Sequence, residues 1–259
     1  SSDVCSSDLL IIDGESFWMN SSTSNARLSG IPSGHKGFSE AKLSPNFDWR
    51  IYHFHDTSDS ARIKQVQQVN DNLRLKPDAA NLAPYLHRLK NENPTCYRRI
   101  IETIRLVAPF FGGFVHREPA GESIQLEWTE YSDPDTPLKA HMLSDGTLRF
   151  ICLATLLLQP ELPSVILLDE PELGLHPHAI ALLAGLLRRA ARHTQIIVAT
   201  QSVPLVDELS PEDIVVAERD PAGASSFRRL TPNDIEAWLD GYSLGELWQK
   251  NIYLCAHQG

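Results

Sequence analysis

The sequence predicts an α/β fold from three observations: continuous apolar runs at 165–168, 196–199 and 214–217, amphipathic helical stretches between them, and an acidic pair closing the first run. Short apolar runs bounded by turn residues mark strands covered on both faces of a sheet. The 259 residues, 42% hydrophobic and 22% charged, suffice for one sizeable globular domain or one domain with an insertion. The formal charge of −10, from 33 acidic and 23 basic residues, disfavours a surface that coats nucleic acid and leaves a local basic patch open.

Residues 1–45 are rich in Ser, Gly and Asn and read as loops around one apolar stretch at 9–12. A strand is expected at 49–54, then a helix at 61–73 capped from the Asp56 to Asp59 stretch. Leu82, Tyr85, Leu86 and Leu89 recur at helical spacing before Asn93-Pro94, and Ile100, Ile101, Ile104 and Val107 give a further helix from Tyr97. Ile124, Leu126 and Trp128 alternate as a half-buried strand.

From Leu143 the pattern becomes helix, strand, helix, strand. Leu148, Ile151, Cys152, Thr155, Leu156 and Leu158 form a helix that stops near Pro160, and Ile180, Leu183, Leu186, Leu187 and Ala190 form the helix after the acidic pair. A terminal helical region at 235–253 packs Trp238, Leu239, Leu244, Leu247 and Trp248. The expected division is 1–45 as an irregular remnant of an N-terminal lobe, 46–120 as a strand plus helical subdomain, and 121–259 as the main α/β lobe.

The chemistry concentrates in the second half. Asp169 and Glu170 end an apolar strand, so they fall at the carboxyl edge of the sheet, where open α/β sheets bind ligands. In a phosphoanhydride hydrolase the aspartate can hold hydrated magnesium while the glutamate orients the attacking water. The pair also fits a plain strand-to-helix cap. Upstream, LSDGTLR at 143–149 opens a helix: Ser144 is a capping residue, Gly146 permits close approach, and free amides at a helix start attract anions. Ser-Asp-Gly is equally an ordinary turn.

Together these elements resemble the ABC ATPase superfamily in its RecF/Rad50/SMC-like branch. LSDGTLR resembles the signature motif, LDEPELGLHP at 168–177 resembles the Walker B segment running into the D-loop, and ATQS at 199–202 lies where the branch has its switch residue. From Ile51 onward the chain also resembles bacterial AAA-type ATPases, with YHFHDTS at 52–58 and LGELWQKN at 244–251 as landmarks. The resemblance implies a P-loop NTPase head with a helical subdomain, using ATP and Mg²⁺, that pairs with a second head as a homodimer. It implies Ser144, Asp145 and Gly146 at the γ-phosphate held by the other head, Asp169 on the metal, and Glu170 with Gln201 as the catalytic pair. Glu172, Leu173, Gly174 and His176 would line the dimer seam. Gln201 stands where transporters carry histidine; it can donate a hydrogen bond but not titrate.

The departure from the pattern is the phosphate loop, because no GxxxxGK(S/T) occurs anywhere. Gly34-His-Lys-Gly37 is the nearest cluster and lacks both the loop length and the hydroxyl, which reads as an ordinary loop. The start without methionine, in Ser-rich sequence, points to N-terminal truncation, so this chain alone is expected to be an inactive part of an ATPase. The full protein would be an ATP-driven dimerisation switch in DNA metabolism, repair or defence. The alternative is a non-catalytic module that pairs with a subunit bearing the phosphate loop. A fused metal-dependent nuclease is a weaker third reading.

The remaining candidates are single features. His53, His55 and Asp56 offer two imidazoles on one strand face with no third metal ligand in view, so packing competes with metal binding. Arg149 is expected to reach a helix-end or interdomain carboxylate ahead of phosphate, with either open to it at a dimer seam. Trp238, Trp248 and Tyr242 suit core packing better than base stacking. The four dispersed cysteines, with no export signal and no apolar run long enough to span a membrane, point to a reduced, cytoplasmic protein. DNA enters only through the family resemblance.

Overall fold

The computed structural model describes residues 48–117, 122–219, 225–231 and 241–250, with the backbone alone for 8–13. Its main sheet has six strands: β1 (Asp8–Asp13), β2 (Trp49–Tyr52), β8 (Val165–Asp169), β9 (Gln195–Thr200), β10 (Ile214–Arg219) and β11 (Ser225–Arg229). The spatial order is β11-β10-β1-β9-β8-β2. β2, β8 and β9 run parallel, whereas β1 is antiparallel to both β9 and β10, and β11 to β10. The three apolar runs are therefore strands of one sheet, and β8 is flanked on both sides as its continuous Val-Ile-Leu-Leu pattern requires.

The helices α1 (Leu82–Glu92), α2 (Pro94–Val107), α3 (Asp145–Leu158) and α4 (Pro177–Ala191) form with one face of this sheet a single large core, in which Leu82, Leu86, Ile100, Ile104, Leu148 and Leu183 are fully buried. Their starts follow capping chemistry. Asn93 Oδ1 accepts the Cys96 amide at 3.1 Å with Pro94 in the first turn, and Ser144 Oγ accepts the Thr147 amide at 3.2 Å. A smaller core joins the short helices α5 (Val203–Val206) and α6 (Leu244–Gln249) to β10 through Val206, Ile214, Val216, Leu244 and Leu247.

The helical half carries a second, three-stranded antiparallel sheet of β4 (Phe111–Val115), β6 (Glu127–Glu130) and β7 (Leu138–Lys139). Trp128 anchors it: the ring stacks on Phe111 at 5.9 Å and its Nε1 donates to the Lys139 carbonyl at 3.2 Å. The alternation at Ile124 and Trp128 belongs to two strands rather than one, since β5 (Ser123–Ile124) leaves to pair with β3 (Gln67–Gln68).

The helix expected at 61–73 is not formed. That stretch holds a single 3-10 turn, Arg62–Lys64, then β3 and turns. Side-chain hydrogen bonds to the backbone, most of them only a few residues apart, compete with helix here. Lys64 Nζ donates to the Thr57 carbonyl at 2.6 Å, Gln67 Nε2 donates to Ile63 O at 3.0 Å, and Gln67 Oε1 accepts the Ala83 amide at 3.1 Å. Asn81, fully buried, accepts the Lys76 amide at 2.9 Å and donates to Asp71 O and Arg74 O at 2.9 and 2.8 Å.

At the far end, Leu244 and Leu247 pack as expected, with Trp248 against them, while Trp238 and Leu239 lie outside the described residues. Tyr242 is exposed, with Lys250 Nζ 5.1 Å from its ring centroid, so it is a surface cation–π partner rather than a core residue. The Gly34-to-Gly37 cluster, Cys5 and Cys255 also lie outside the described residues; Cys96 and Cys152 are buried free thiols. Among the described residues no helix is long and apolar enough to cross a membrane.

Asn81→Ala strands three backbone groups at once, so it is expected to lower folding stability by about 2–4 kcal/mol. Denaturant unfolding followed by tryptophan fluorescence measures this, and a loss below about 0.5 kcal/mol would show that the 71–80 loop does not depend on Asn81.

Candidate functional site

The carboxyl edge of the parallel strands gathers most of the expected residues. Asp169 pairs in register with Ala199, so Gln201 emerges two residues beyond that level, on the strand next to the acidic pair. Tyr52 pairs with Leu168, which sends residues 53–55 out over the same edge from the other side. Asp169 is exposed and Glu170 half-buried. A cavity of about 10 Å³, the size of one water molecule, lies between them and His55 and Arg149.

Glu170 has φ +38°, in the left-handed region that a side-chain-bearing residue rarely occupies. Its amide donates to Ala199 O at 2.8 Å and its carbonyl accepts the Leu173 amide at 3.1 Å, so both flanking segments hold the turn. The strain, of order 1 kcal/mol or more, falls on the residue whose carboxylate has the most demanding proposed task.

α3 starts beside this edge. Ser144 and Asp145 are exposed, and Gly146 is half-buried because it packs on the turn after β8. A Cβ on Gly146 would sit 2.5 Å from the Gly174 carbonyl oxygen. Gly174 itself has φ +76°, and a Cβ there would meet the Arg149 guanidinium at 2.8 Å. Two glycines are thus required for the contact between the helix start and the turn. The Asp145 carboxylate lies 4.0 Å from the buried ammonium of Lys64, which tempers its negative charge at a helix start offered to anions.

Among the described residues Arg149 reaches no carboxylate. Its guanidinium donates to Phe54 O at 3.0 Å, to His55 O at 3.1 Å and to Leu173 O. It therefore ties α3 to the segments that follow both β2 and β8. Arg149 and Lys64 are the residues that motif reading undervalued, and only three-dimensional proximity reveals them.

The residues expected on a dimer seam divide. Leu173, Gly174 and His176 are exposed, and His176 caps α4 by accepting the His178 amide at 3.3 Å. Glu172 turns inward instead: it is 8% exposed and its Oε1 accepts the Thr200 hydroxyl. Burial, partly opposed by that hydrogen bond and reinforced by the charges of Glu170 and Asp169, raises its pKa above the usual carboxylate range.

His53 is exposed and His55 half-buried, while Asp56 binds the Ser58 amide and hydroxyl at 3.2 and 2.7 Å, which lowers its pKa. Among the described residues no group of three or more metal-ligating side chains converges. A larger cavity of about 290 Å³ opens at the opposite, amino end of β2 and β8. Two of its cations, Arg50 and Arg74, are both paired with Asp48, at 3.0 and 3.1 Å.

Comparison with known proteins gives the family described as "AAA domain, putative AbiEii toxin, Type IV TA system", matching residues 18–208. A curated protein of Methanosarcina acetivorans named "Putative ABC transporter ATP-binding protein" is 34% identical over 105 residues, covering 40% of this chain and 35% of its own. One of the same printed name from Geobacter sulfurreducens is 36% identical over 94 residues, covering 36% of each. The chain spans about a third of the length of these relatives. Among solved structures, a study of "ATP-driven dimerization and DNA stimulated activation of SMC ATPases" provides a chain with TM-score 0.45 at 15% identity, covering 67% of this chain and 99% of that one. The Smc head domain of Pyrococcus furiosus with the C-terminal domain of ScpA gives 0.46 at 16%, covering 60% and 39%.

Helix propensity alone favours Gly146→Ala by about 1 kcal/mol. The approach of Gly174 O reverses the sign, and a net loss of about 1–3 kcal/mol is expected. Thermal unfolding checks this, and a stabilised variant would mean that the helix start and the turn are not in contact.

Proposed function

The chain belongs to this AAA-domain family, and on that premise we propose that it forms the acidic and helix-start portion of an ATP-binding and hydrolysing enzyme of the ABC/SMC-like type. In this reading two heads pair around nucleotide, and hydrolysis resets a cytoplasmic switch in DNA metabolism or defence. The observation that carries the proposal is the carboxyl edge of β8, with Asp169 exposed, Glu170 held at φ +38°, and Gln201 on the adjacent strand.

The donor set fits the metal in chemical type. Asp169 offers carboxylate oxygens of the kind magnesium prefers, and Glu170 stands next to it. Mg²⁺ in this position would neutralise charge on the β- and γ-phosphates. Glu170 would orient the attacking water and accept its proton, and Gln201 would hydrogen-bond the γ-phosphate without exchanging a proton. Ser144, with the amides around Asp145 and Gly146, would contact the γ-phosphate of a nucleotide held by the other head, as a helix start suits an anion. Leu173, Gly174 and His176 are exposed where a partner head would meet the turn.

For the nucleotide the fit is one-sided, since the 259-residue sequence contains no GxxxxGK(S/T). That same fact favours a second reading: a non-catalytic module that pairs with a subunit carrying the phosphate loop. The two differ in whether Glu170 reacts or only shapes an interface.

This polypeptide by itself is expected not to turn over ATP. Asp169 and Glu170 bring negative charge toward a polyanion, and helix amides worth about 1 kcal/mol do not replace a phosphate cradle and its lysine. Phosphate release with Mg²⁺ and ATP is measured over a wide protein concentration range, beside Glu170→Gln. Concentration-dependent release abolished by that substitution would overturn the expectation. In an assembly that supplies the phosphate loop, equal turnover with and without Glu170→Gln would remove Glu170 from catalysis.

A further inference from the structure

The mechanism above leaves one buried carboxylate unused. Glu172 Oε1 accepts the Thr200 hydroxyl, while its Oε2 is buried with no hydrogen-bond partner among the described residues. The Thr200 hydroxyl oxygen in turn accepts the Ser202 amide at 3.0 Å, and Ser202 Oγ accepts the Leu205 amide at 3.4 Å to cap α5. Gln201 lies between these two anchored residues and is exposed. A chain of hydrogen bonds thus runs from the turn after β8, through Thr200, to the backbone on either side of Gln201.

The direction of each bond matters. A hydroxyl has one proton and two lone pairs. With its proton committed to Glu172, Thr200 presents only lone pairs to the Ser202 amide, which fixes the rotor and the turn. Packing alone does not account for an acid at this place. A buried carboxylate with one oxygen unpaired, close to Asp169 and Glu170, costs stability that an apolar side chain of similar size would not. Its elevated pKa reports the same cost. The two turns are also linked by the Glu170 amide on Ala199 O at 2.8 Å, so Glu172 adds a side-chain tie to a backbone one.

We propose that Glu172 is a positioning residue: acting through the Thr200 hydroxyl, it holds the 200–202 turn, and with it Gln201, in a fixed relation to the Asp169–Glu170 edge. The tie itself is independent of what the edge binds, whereas its catalytic consequence rests on the ATPase reading.

Backbone amide exchange in the ¹⁵N-labelled full chain tests the tie. Thr200→Val and Glu172→Leu are each expected to speed Ser202 exchange about tenfold, the worth of one hydrogen bond, and the double variant no further. Thr200→Ser restores slow exchange, and Glu172→Gln, which keeps an acceptor at Oε1, stays near the parent. Unchanged Ser202 exchange in both disruptive variants overturns the proposal, as does acceleration spread equally over α4 and β8, the mark of general loosening. If Glu172→Leu does not fold, Glu172→Met, which removes the acceptor but keeps the length of the side chain, decides against Glu172→Gln: equal Ser202 exchange in the two overturns the proposal. In an ATP-hydrolysing assembly, Thr200→Val is expected to lower kcat about tenfold with KM for ATP unchanged, and Thr200→Ser to recover it. A loss confined to KM would contradict the positioning role. Turnover indifferent to Glu170→Gln would remove Glu170 from catalysis, and absence of any turnover the ATPase reading, while either leaves the exchange result to stand.

Discussion

One guanidinium holds the carboxyl edge of the parallel strands together. Arg149 leaves the first turns of α3 and donates to three carbonyls, Phe54 O and His55 O beyond β2 and Leu173 O beyond β8. Neither receiving segment is helix or strand, so neither satisfies these carbonyls through regular secondary structure. A charged donor fork that meets three acceptors contributes more than neutral bonds would and leaves few alternative geometries. Other features of the edge adjoin this tie: Gly146 packs against Gly174 just ahead of Arg149 on α3, and the one-water cavity beside Asp169 and Glu170 has Arg149 in its wall.

The arrangement also manages charge. Asp169, Glu170 and Glu172 crowd negative charge at one strand end, and Asp145 adds more at the start of α3. Arg149 and Lys64 are the nearby cations, and both spend donors on carbonyls, with Lys64 also 4.0 Å from Asp145. Such an edge is suited to a bound cation, and the strain at Glu170 belongs to the kind of feature that functional sites tolerate. A turn built for stability alone would place glycine there.

The α/β pattern was legible because strands buried on both faces leave continuous apolar runs, and because Ser144 is a capping residue by type. The motif at 168–177 also announced Asp169 and Glu170 correctly as a strand-end pair. What escaped was set by the partners of single side chains. Residues 61–73 have helical composition, yet Lys64, Gln67 and Asn81 bind backbone groups within and around the stretch and hold it in turns. Glu172 was expected to face a partner, but a Thr at the end of β9 draws it inward. Arg149 was expected to seek a carboxylate, while the nearest acceptors that the fold offers are carbonyls. No periodicity or spacing encodes such contacts.

Through Arg149, the start of α3, the segment after β2 and the turn after β8 are tied into one unit. Hydrogen exchange followed by mass spectrometry in Arg149→Met probes this tie. Peptides covering 53–57 and 171–175 are expected to lose protection together, with α4 and β9 unchanged. Loss in only one of the two segments, or in neither, would contradict it.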